Sequence, residues 1–347
     1  QFKVEIVSAL EKAIAEYEKE FPDVKINLET VGGGDDYGQT LKVKMQSKDK
    51  PDIFNVGGLQ DTMDYLHLLE DLSDQPWVEN AVTGTLMDAT LDGKVYGLPY
   101  CIEGYGFIYN KRIFKAAGID ASALTSYGAI EAAVKDLDQR IKAGEFKDEF
   151  PLLEAAFEFP AKEGWVGGDH TVNVIMQAEL KDSQTTLEAR EIKMEYGDAY
   201  QKLIDLQTLY SSNGDDRSRL NSVDYASQVG GGLAIERVAM IQQGNWIMPE
   251  VVAVDADLGE DLGMLPLPVK GYIEDCITTG VPMYWTVNKE SGDAEKAQAK
   301  HFLNWLYQSD AGKKLIVEDF LFIPPFTNYE GLEPGDALAK EVKRYAD

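Results

Sequence analysis

The sequence predicts an α/β protein made of two lobes, each assembled from discontinuous stretches of chain. Strand-like and helix-like patterns alternate from end to end, which is typical of sheets covered by helices. Two crossover segments accompanied by proline, near 105–112 and 263–269, divide the pattern. The chain has 347 residues, which is longer than most chains that fold around a single hydrophobic core. We therefore expect a hinge between the lobes with a ligand cleft beside it, because clefts between domains are the usual small-molecule sites.

The two crossovers set the expected limits of the lobes. An N-terminal lobe would comprise residues 1–108 and 269–322, and a C-terminal lobe would comprise residues 109–262 and 323–347.

Composition excludes several classes of function. The formal net charge is −27, whereas nucleic acids and anionic membranes require a basic surface. Cys101 and Cys276 stand in no metal-ligand spacing and the three histidines lie far apart, so we expect no zinc site and no cofactor. The two cysteines could form a disulfide or be two small buried residues. The sequence has no run of 18 apolar residues that could span a membrane and no signal peptide.

The N-terminal elements are predicted from local patterns. Apolar residues recur at helical spacing from Phe2 to Phe21, although Ser8 followed by Glu11 could form a capping box that starts this helix later. Residues 24–28 alternate like a strand, and a strand before the first helix would be absent or reduced to residues 2–7.

A glycine-rich turn at 31–37 precedes a helix expected at 37–47. Asp35 and Asp36 in this turn could cap the helix or accept hydrogen bonds from ligand hydroxyls. The pattern of residues 51–56 then predicts a short buried strand. Ligands of open α/β sheets bind at the carboxyl ends of strands, so Asn55 and Gly57 become candidate ligand residues.

The segment 92–114 resembles a crossover between lobes. Asp92-Gly93 predicts a tight turn, and Pro99 restricts the next residues to a strand edge or a bend. Glu103 is a carboxylate in an apolar, glycine-rich stretch. It could be an ordinary surface residue, or it could lie where a ligand approaches the backbone.

The remaining elements are predicted in chain order. We expect helices at 113–117, 127–143, 171–180, 188–210, 294–307 and 336–345, strands at 151–159, 238–241 and 284–287, and an irregular aromatic loop at 161–170.

Tryptophans in loops and at strand ends are candidate stacking platforms. A sugar site needs flat apolar faces together with carboxylates and amides for the hydroxyls. Trp165 and Trp246 stand beside glycine in loop-like segments, and Tyr284 and Trp285 open a strand. Each of the four could instead pack in a core.

Five motifs resemble one family. They are DGKVYGLPY with GFIYNKRIFKAAGI at 92–119, PDIF at 51–54, GGGLAIERVAMIQQGNW at 230–246, GMLPLPV at 263–269 and YWTVNKESGDAEKAQAKHFLNWL at 284–306. In their order and approximate spacing along the chain they resemble the extracellular solute-binding proteins of ABC sugar importers, which include maltose-binding proteins and raffinose and multiple-sugar binders of Gram-positive bacteria.

The resemblance implies a type II periplasmic-binding-protein-like fold and a function. It implies capture of a neutral oligosaccharide between the lobes, leaning to an α-galactoside or α-glucoside of raffinose or isomaltose type, and delivery to ABC permease subunits. Glu103, just before the YNK motif, matches a carboxylate that contacts sugar hydroxyls, and Trp246 matches a tryptophan that stacks on the sugar. We expect a monomer, either an extracellular cell-surface lipoprotein of a Gram-positive bacterium or a periplasmic protein, with its secretion signal removed from this chain.

The competing interpretation is a glycoside hydrolase with paired carboxylates. Among 60 Asp and Glu residues, a suitable pair could arise by chance. The sequence contains no nucleophile elbow, metalloprotease motif or nucleotide fingerprint. We therefore expect a binding protein and not an enzyme.

Overall fold

Two α/β units divide the chain in the computed structural model, which describes residues 1–32, 36–332 and 335–346. Unit 1 comprises Gln1–Glu103 and Gly280–Gly335, and unit 2 comprises Gly104–Thr279 and Asp336–Asp347. The lobe limits expected from the sequence, at 108, 269 and 322, differ from these unit boundaries by several residues and stay predictions. The largest difference concerns residues 323–335, which stand in unit 1 because Ile323 bridges Ile102 and Phe326 packs in the core of that unit.

The strands are β1 Ile53–Val56, β2 Thr90–Leu91, β3 Lys94–Val95, β4 Leu98–Pro99, β5 Glu103–Asn110, β6 Ala155–Glu158, β7 Val238–Gly244, β8 Leu262–Leu265, β9 Thr278–Gly280 and β10 Tyr284–Val287. The helices are α1 Val7–Glu20, α2 Tyr37–Met45, α3 Gly58–Tyr65, α4 Lys111–Ala117, α5 Tyr127–Lys142, α6 Val172–Leu180, α7 Ser183–Glu188, α8 Gly197–Leu209, α9 Tyr225–Gln228, α10 Met248–Val254, α11 Ala256–Glu260, α12 Asp293–Gln308, α13 Asp310–Glu318 and α14 Ala337–Ala346. None of the helices in the described residues is both long enough and apolar enough to cross a membrane.

Unit 1 is built on a small antiparallel sheet with the strand order β1-β10-β4. The hairpin β2–β3 turns at Asp92 and Gly93, both of which have positive φ, so the predicted tight turn is confirmed. Helix α1 places Leu10, Ala13 and Tyr17 in a core shared with α12 and α13.

Unit 2 is built on a sheet with the order β6-β7-β5-β8, in which β6 and β7 are parallel and the other pairs are antiparallel. Every residue of β5, β6 and β7 is buried. The core of this unit is formed by these strands with α5, α6 and α8. β7 is an inner strand of this sheet, because it pairs with β6 on one side and with β5 on the other.

Most predicted elements are confirmed within a few residues, and two are wrong. Residues 24–28 are not a strand, and the backbone N–H of Ile26 donates to the Glu18 carboxylate (2.8 Å). The helix expected at 188–210 is observed only as α8, Gly197–Leu209, and a separate short helix, α7, ends at Glu188. The Glu179 carboxylate accepts hydrogen bonds from the backbone N–H groups of Lys193 and Glu195, which holds the intervening segment out of a helix.

The N-terminus also departs from expectation. Residues Val4–Ile6 form a 3₁₀ turn and α1 begins at Val7, before Ser8, so Ser8 does not cap it. Both cysteines are free thiols. Cys101 is buried, whereas Cys276 is exposed, so the expectation of two buried residues holds for only one.

Candidate functional site

Aromatic side chains of unit 2 gather around His170. Its ring stacks on Tyr105 (centroids 4.4 Å apart) and contacts Trp165 and Trp246, each at 5.1 Å. Trp165 and Trp246 meet edge to face at 6.2 Å, and Tyr225 lies 6.1 Å from Trp165. We call these five residues the aromatic cluster. Tyr105 is buried and the other four are only partly buried, so the cluster presents ring surface that is not covered by the core.

Strand pairing and two irregular turns bring the cluster together. Tyr105 on β5 is paired with Gly244 at the end of β7, and the indole of Trp246 folds back over Gly244. A Cβ at position 244 would overlap this ring, so glycine permits the close approach. Trp165 precedes a π-helical turn at Val166–Thr171, which contains His170 and leads into α6. Such turns occur frequently at functional sites.

The polar edges of both indoles are anchored. Trp165 donates through Nε1 to Glu163 (3.2 Å), and the other Glu163 carboxylate oxygen accepts the backbone N–H of Tyr225 (3.1 Å). Trp246 donates through Nε1 to Oε1 of Gln243 (3.0 Å). With their N–H groups already bonded, these rings offer apolar faces more than free donors.

Polar side chains border the cluster near Tyr105. Nδ2 of Asn173 donates to the Tyr105 hydroxyl (3.1 Å), which donates to the carbonyl of His170 (3.3 Å). Burial raises the pKa of Tyr105, and the hydrogen bond from Asn173 opposes that shift. The hydroxyl is thus a neutral donor and acceptor. Aromatic faces bordered by hydroxyl and amide groups suit a neutral, polyhydroxylated ligand.

Glu103 lies in unit 1 and is engaged in a buried ion pair. Nζ of Lys3 contacts Glu103 Oε1 at 2.6 Å and Glu5 at 2.7 Å, and Sγ of Cys101 lies 3.7 Å from the same Glu103 oxygen. Burial alone would lower the pKa of Lys3, but the carboxylates of Glu103 and Glu5 raise it above the ordinary value for lysine. The predicted contact between Glu103 and a ligand stays a prediction.

Tyr284 and Trp285 are both buried in unit 1. The hydroxyl of Tyr284 donates to the carbonyl of Thr85 (2.9 Å). Trp285 stacks on Tyr100 with centroids 4.1 Å apart and donates through Nε1 to the Tyr307 hydroxyl (3.1 Å). The ring of Trp285 thus packs against core neighbours. Neither Tyr284 nor Trp285 is part of the aromatic cluster.

The other predicted residues of unit 1 surround the end of β1. Asn55 is fully buried, and its backbone N–H donates to the Tyr37 hydroxyl (2.7 Å). Its Oδ1 has no hydrogen-bond partner among the described residues. The N–H of Gly57 donates to Asp61 (2.9 Å). Asp36 caps α2 by accepting the N–H of Gln39 (2.9 Å), and Asp35 lies outside the described residues.

Sequence reasoning therefore identified Trp165 and Trp246, which the fold brings together, and missed Tyr105, His170 and Tyr225. The tryptophans stood out by their glycine neighbours. The other three become neighbours only through the register of β5 against β7 and through the π-helical turn, neither of which is visible in a local pattern. The described residues contain no group of three His, Cys, Asp or Glu side chains that could hold a metal ion.

Comparisons with known proteins agree with the architecture. The multiple sugar-binding protein of Streptococcus mutans is 23% identical over 278 residues, covering 77% of this chain and 61% of that protein. A solved chitin oligosaccharide binding protein superposes with a TM-score of 0.78 at 20% identity, covering 99% of this chain and 84% of that one. The solute-binding protein RafE in complex with raffinose gives 0.75 at 19% identity, covering 99% and 86%. These likenesses show the two-lobed α/β fold of sugar-binding proteins.

Two further comparisons concern how much of the chain is matched. The chain spans less than two thirds of the length of the curated relatives that it matches. The family model of bacterial extracellular solute-binding proteins matches residues 3–313. The chain therefore belongs to the bacterial extracellular solute-binding proteins, a family of binding proteins and not of enzymes.

Proposed function

We propose that this protein is the substrate-binding component of an ABC carbohydrate importer and that it binds a neutral oligosaccharide on the aromatic cluster. The observation that carries the proposal is the pair of partly buried indoles, Trp165 and Trp246, which meet each other edge to face and are anchored at their N–H edges. Stacking on such faces aligns the C–H side of a pyranose ring, and the neighbouring hydroxyl and amide groups bond its hydroxyls.

Charge supports the neutrality of the ligand. A net charge of −27 disfavours anionic ligands at long range, whereas a neutral sugar is not repelled. The names of the relatives support a sugar, since one is a multiple sugar-binding protein and two structural neighbours bind chitin oligosaccharide and raffinose. Within this class we favour an α-galactoside or α-glucoside, on the resemblance of the IEGYGFIYNK segment to binders of such sugars.

The family description supports a location outside the cytoplasm. We propose that the protein works there as a monomer that presents its sugar to permease subunits, held at the surface as a lipoprotein or free in a periplasm.

Isothermal titration calorimetry against raffinose, stachyose, isomaltotriose and chitotriose tests this function. We expect one of these sugars to bind the unmodified protein. We expect Trp246→Ala to weaken that binding by at least about tenfold, since loss of a stacked aromatic removes about 1.4 kcal/mol or more.

The matched control is Tyr272→Ala, which removes an exposed aromatic side chain of the same unit outside the cluster. It should leave the dissociation constant within about twofold. Equal affinity of Trp246→Ala and the unmodified protein would remove the cluster from the site. Absence of binding to every sugar would contradict the proposed substrate class.

A further inference from the structure

A chain of buried amides connects Trp246 to the end of strand β6 in the unit 2 sheet. Trp246 Nε1 donates to Gln243 Oε1 (3.0 Å), Gln243 Nε2 donates to Gln228 Oε1 (2.7 Å), and Gln228 Nε2 donates to the carbonyl of Glu158 (2.8 Å). We call these four residues the amide relay. We propose that Gln243 and Gln228 are positioning residues that fix the orientation of the Trp246 ring for stacking, an inference that rests on the proposed function.

The two ends of the relay dictate its direction. An indole N–H can only donate and a backbone carbonyl can only accept. The intervening amides therefore have one arrangement in which every bond is made. Gln243, Gln228 and Glu158 are fully buried, where an amide turned the other way would leave polar groups unpaired at considerable cost. The relay thus has one stable state.

The far end of the relay is itself held in place. The carboxylate of Glu158, the last residue of β6, accepts hydrogen bonds from Ser212 (2.8 Å) and from Arg237 (2.7 Å). The near end meets an indole that is only partly buried and rests on Gly244. Such a ring is not fully fixed by packing, so its tilt depends on the bond at Nε1. A ring fixed before binding loses less conformational freedom when a ligand stacks on it.

The neighbouring Gln242 provides a matched comparison. It lies next to Gln243 on β7, is equally buried, and serves the other side of the cluster by donating to the carbonyl of Val166 (3.1 Å) and to Thr171 Oγ1 (2.9 Å). Gln242 therefore supports the π-helical turn that contains His170 without bonding to Trp246.

A double-mutant cycle tests the relay in the sugar-binding protein. Trp246→Phe keeps an aromatic face but has no N–H. Gln243→Met should weaken sugar binding by about tenfold in the unmodified background and by less than about twofold in the Trp246→Phe background, because the bond it breaks is already absent there. Gln242→Met should weaken binding by the same factor in both backgrounds. An equally large effect of Gln243→Met in both backgrounds would overturn the inference.

A measurement without sugar separates this inference from the proposed function. The five tryptophans give indole N–H resonances in a ¹⁵N-correlated NMR spectrum, and Trp246→Phe identifies the one from Trp246. In Gln243→Met this resonance should shift and its hydrogen exchange should accelerate at least about tenfold, whereas Gln242→Met should leave it nearly unchanged. An unaltered resonance in Gln243→Met would refute the relay even if sugars bind.

Conversely, a shifted resonance in a protein that binds no sugar would uphold the relay and contradict the proposed function. If Gln243→Met does not fold, Gln228→Met breaks the relay one bond further from the indole and provides the same readouts. Slow exchange of the Trp246 N–H in the unmodified protein is a further requirement, and fast exchange there would overturn the inference.

Discussion

Lys3 shows how a single buried charge can depend on residues far along the chain. Its ammonium group is almost completely buried and lies between the carboxylates of Glu5 and Glu103. The raised pKa of Lys3 means that the stability gained from pairing is present below the ordinary lysine pKa of 10.5 and is lost only as the pH rises through the higher value of the folded state. Burial raises the pKa of Glu103, and the charge of Lys3 opposes that shift.

Removal of either partner should therefore have unequal effects. Lys3→Met leaves two carboxylates without their cation and should lower the free energy of unfolding by about 3 kcal/mol. Glu103→Gln leaves Lys3 paired with Glu5 and should cost about 1 kcal/mol. Urea unfolding near neutral pH measures both. A larger loss for Glu103→Gln would show that Glu5 does not compensate the lysine.

The sequence singled out Glu103 but not its partner. A carboxylate among apolar residues and glycines is visible locally, and so is the place of Trp246 beside glycine. That Lys3 reaches Glu103, and that Gln243 reaches Gln228, depends on contacts between segments that local patterns do not connect. Residue types were thus predictable, whereas their partners were not.

At the scale of elements, the YNK motif is a strand end and a helix cap. Asn110 ends β5 and its Oδ1 accepts the N–H groups of Arg112 (2.8 Å) and Ile113 (3.2 Å) at the start of α4. Gly118, in the left-handed conformation, ends the helix. Such capping residues, like Ser126 at the start of α5, lie next to the elements that they limit and are visible in a local pattern.

Elements that depend on distant groups could not be predicted in this way. The segment between α7 and α8 has helical composition, but the Glu179 carboxylate takes its backbone N–H groups. Residues 24–28 alternate like a strand but are not part of any sheet in the described residues. In both cases tertiary hydrogen bonds outweigh local propensity.

Helix α9 depends on a cap that titrates. Asp224 accepts the N–H (3.0 Å) and the hydroxyl (2.7 Å) of Ser227 and pairs with Lys162 (3.1 Å). The Ser227 bonds and then Lys162 lower the pKa of Asp224 from 3.8 to about 2. Because the folded-state pKa is depressed, the stabilisation is present above 3.8 and is lost as the pH falls through about 2.

We therefore expect Asp224→Ala to lower the free energy of unfolding by about 1 kcal/mol near neutral pH, the usual value of an N-cap with a partly exposed ion pair. The difference from the unmodified protein should narrow as the pH falls from 3.8 towards 2. Chemical unfolding across this range provides the measurement, and Asp224→Asn, which keeps an acceptor oxygen, is the control. A difference that does not change with pH would contradict the role of the charge.

For the whole molecule, the division into two α/β units was predictable because length and alternation are global properties of the chain. The residues at which one unit gives way to the other depend on packing. Ile323 and Phe326, for example, join unit 1 although they lie close in sequence to α14 of unit 2. Family membership, by contrast, rests on a match over residues 3–313 and does not depend on where these boundaries fall.

Net charge is the other global property with a physical consequence. The chain has 60 acidic and 33 basic side chains, so repulsion among carboxylates opposes the folded state. Local ion pairs such as Arg140 with Glu145 (2.7 Å) act in the opposite sense, but exposed pairs contribute little individually. The excess of acidic groups should therefore decide the response to salt.

We predict that the unfolding temperature rises by a few degrees when NaCl is increased from about 20 mM to about 500 mM, because the Debye length falls from roughly 20 Å to roughly 4 Å and repulsion is screened. Affinity for a neutral sugar should change by less than about twofold over the same range, since no charge is neutralised on binding. Differential scanning calorimetry and titration calorimetry measure the two effects, and KCl at equal ionic strength should reproduce both. A falling unfolding temperature would show that the ion pairs outweigh the net repulsion, and a strongly salt-dependent affinity would contradict a neutral ligand.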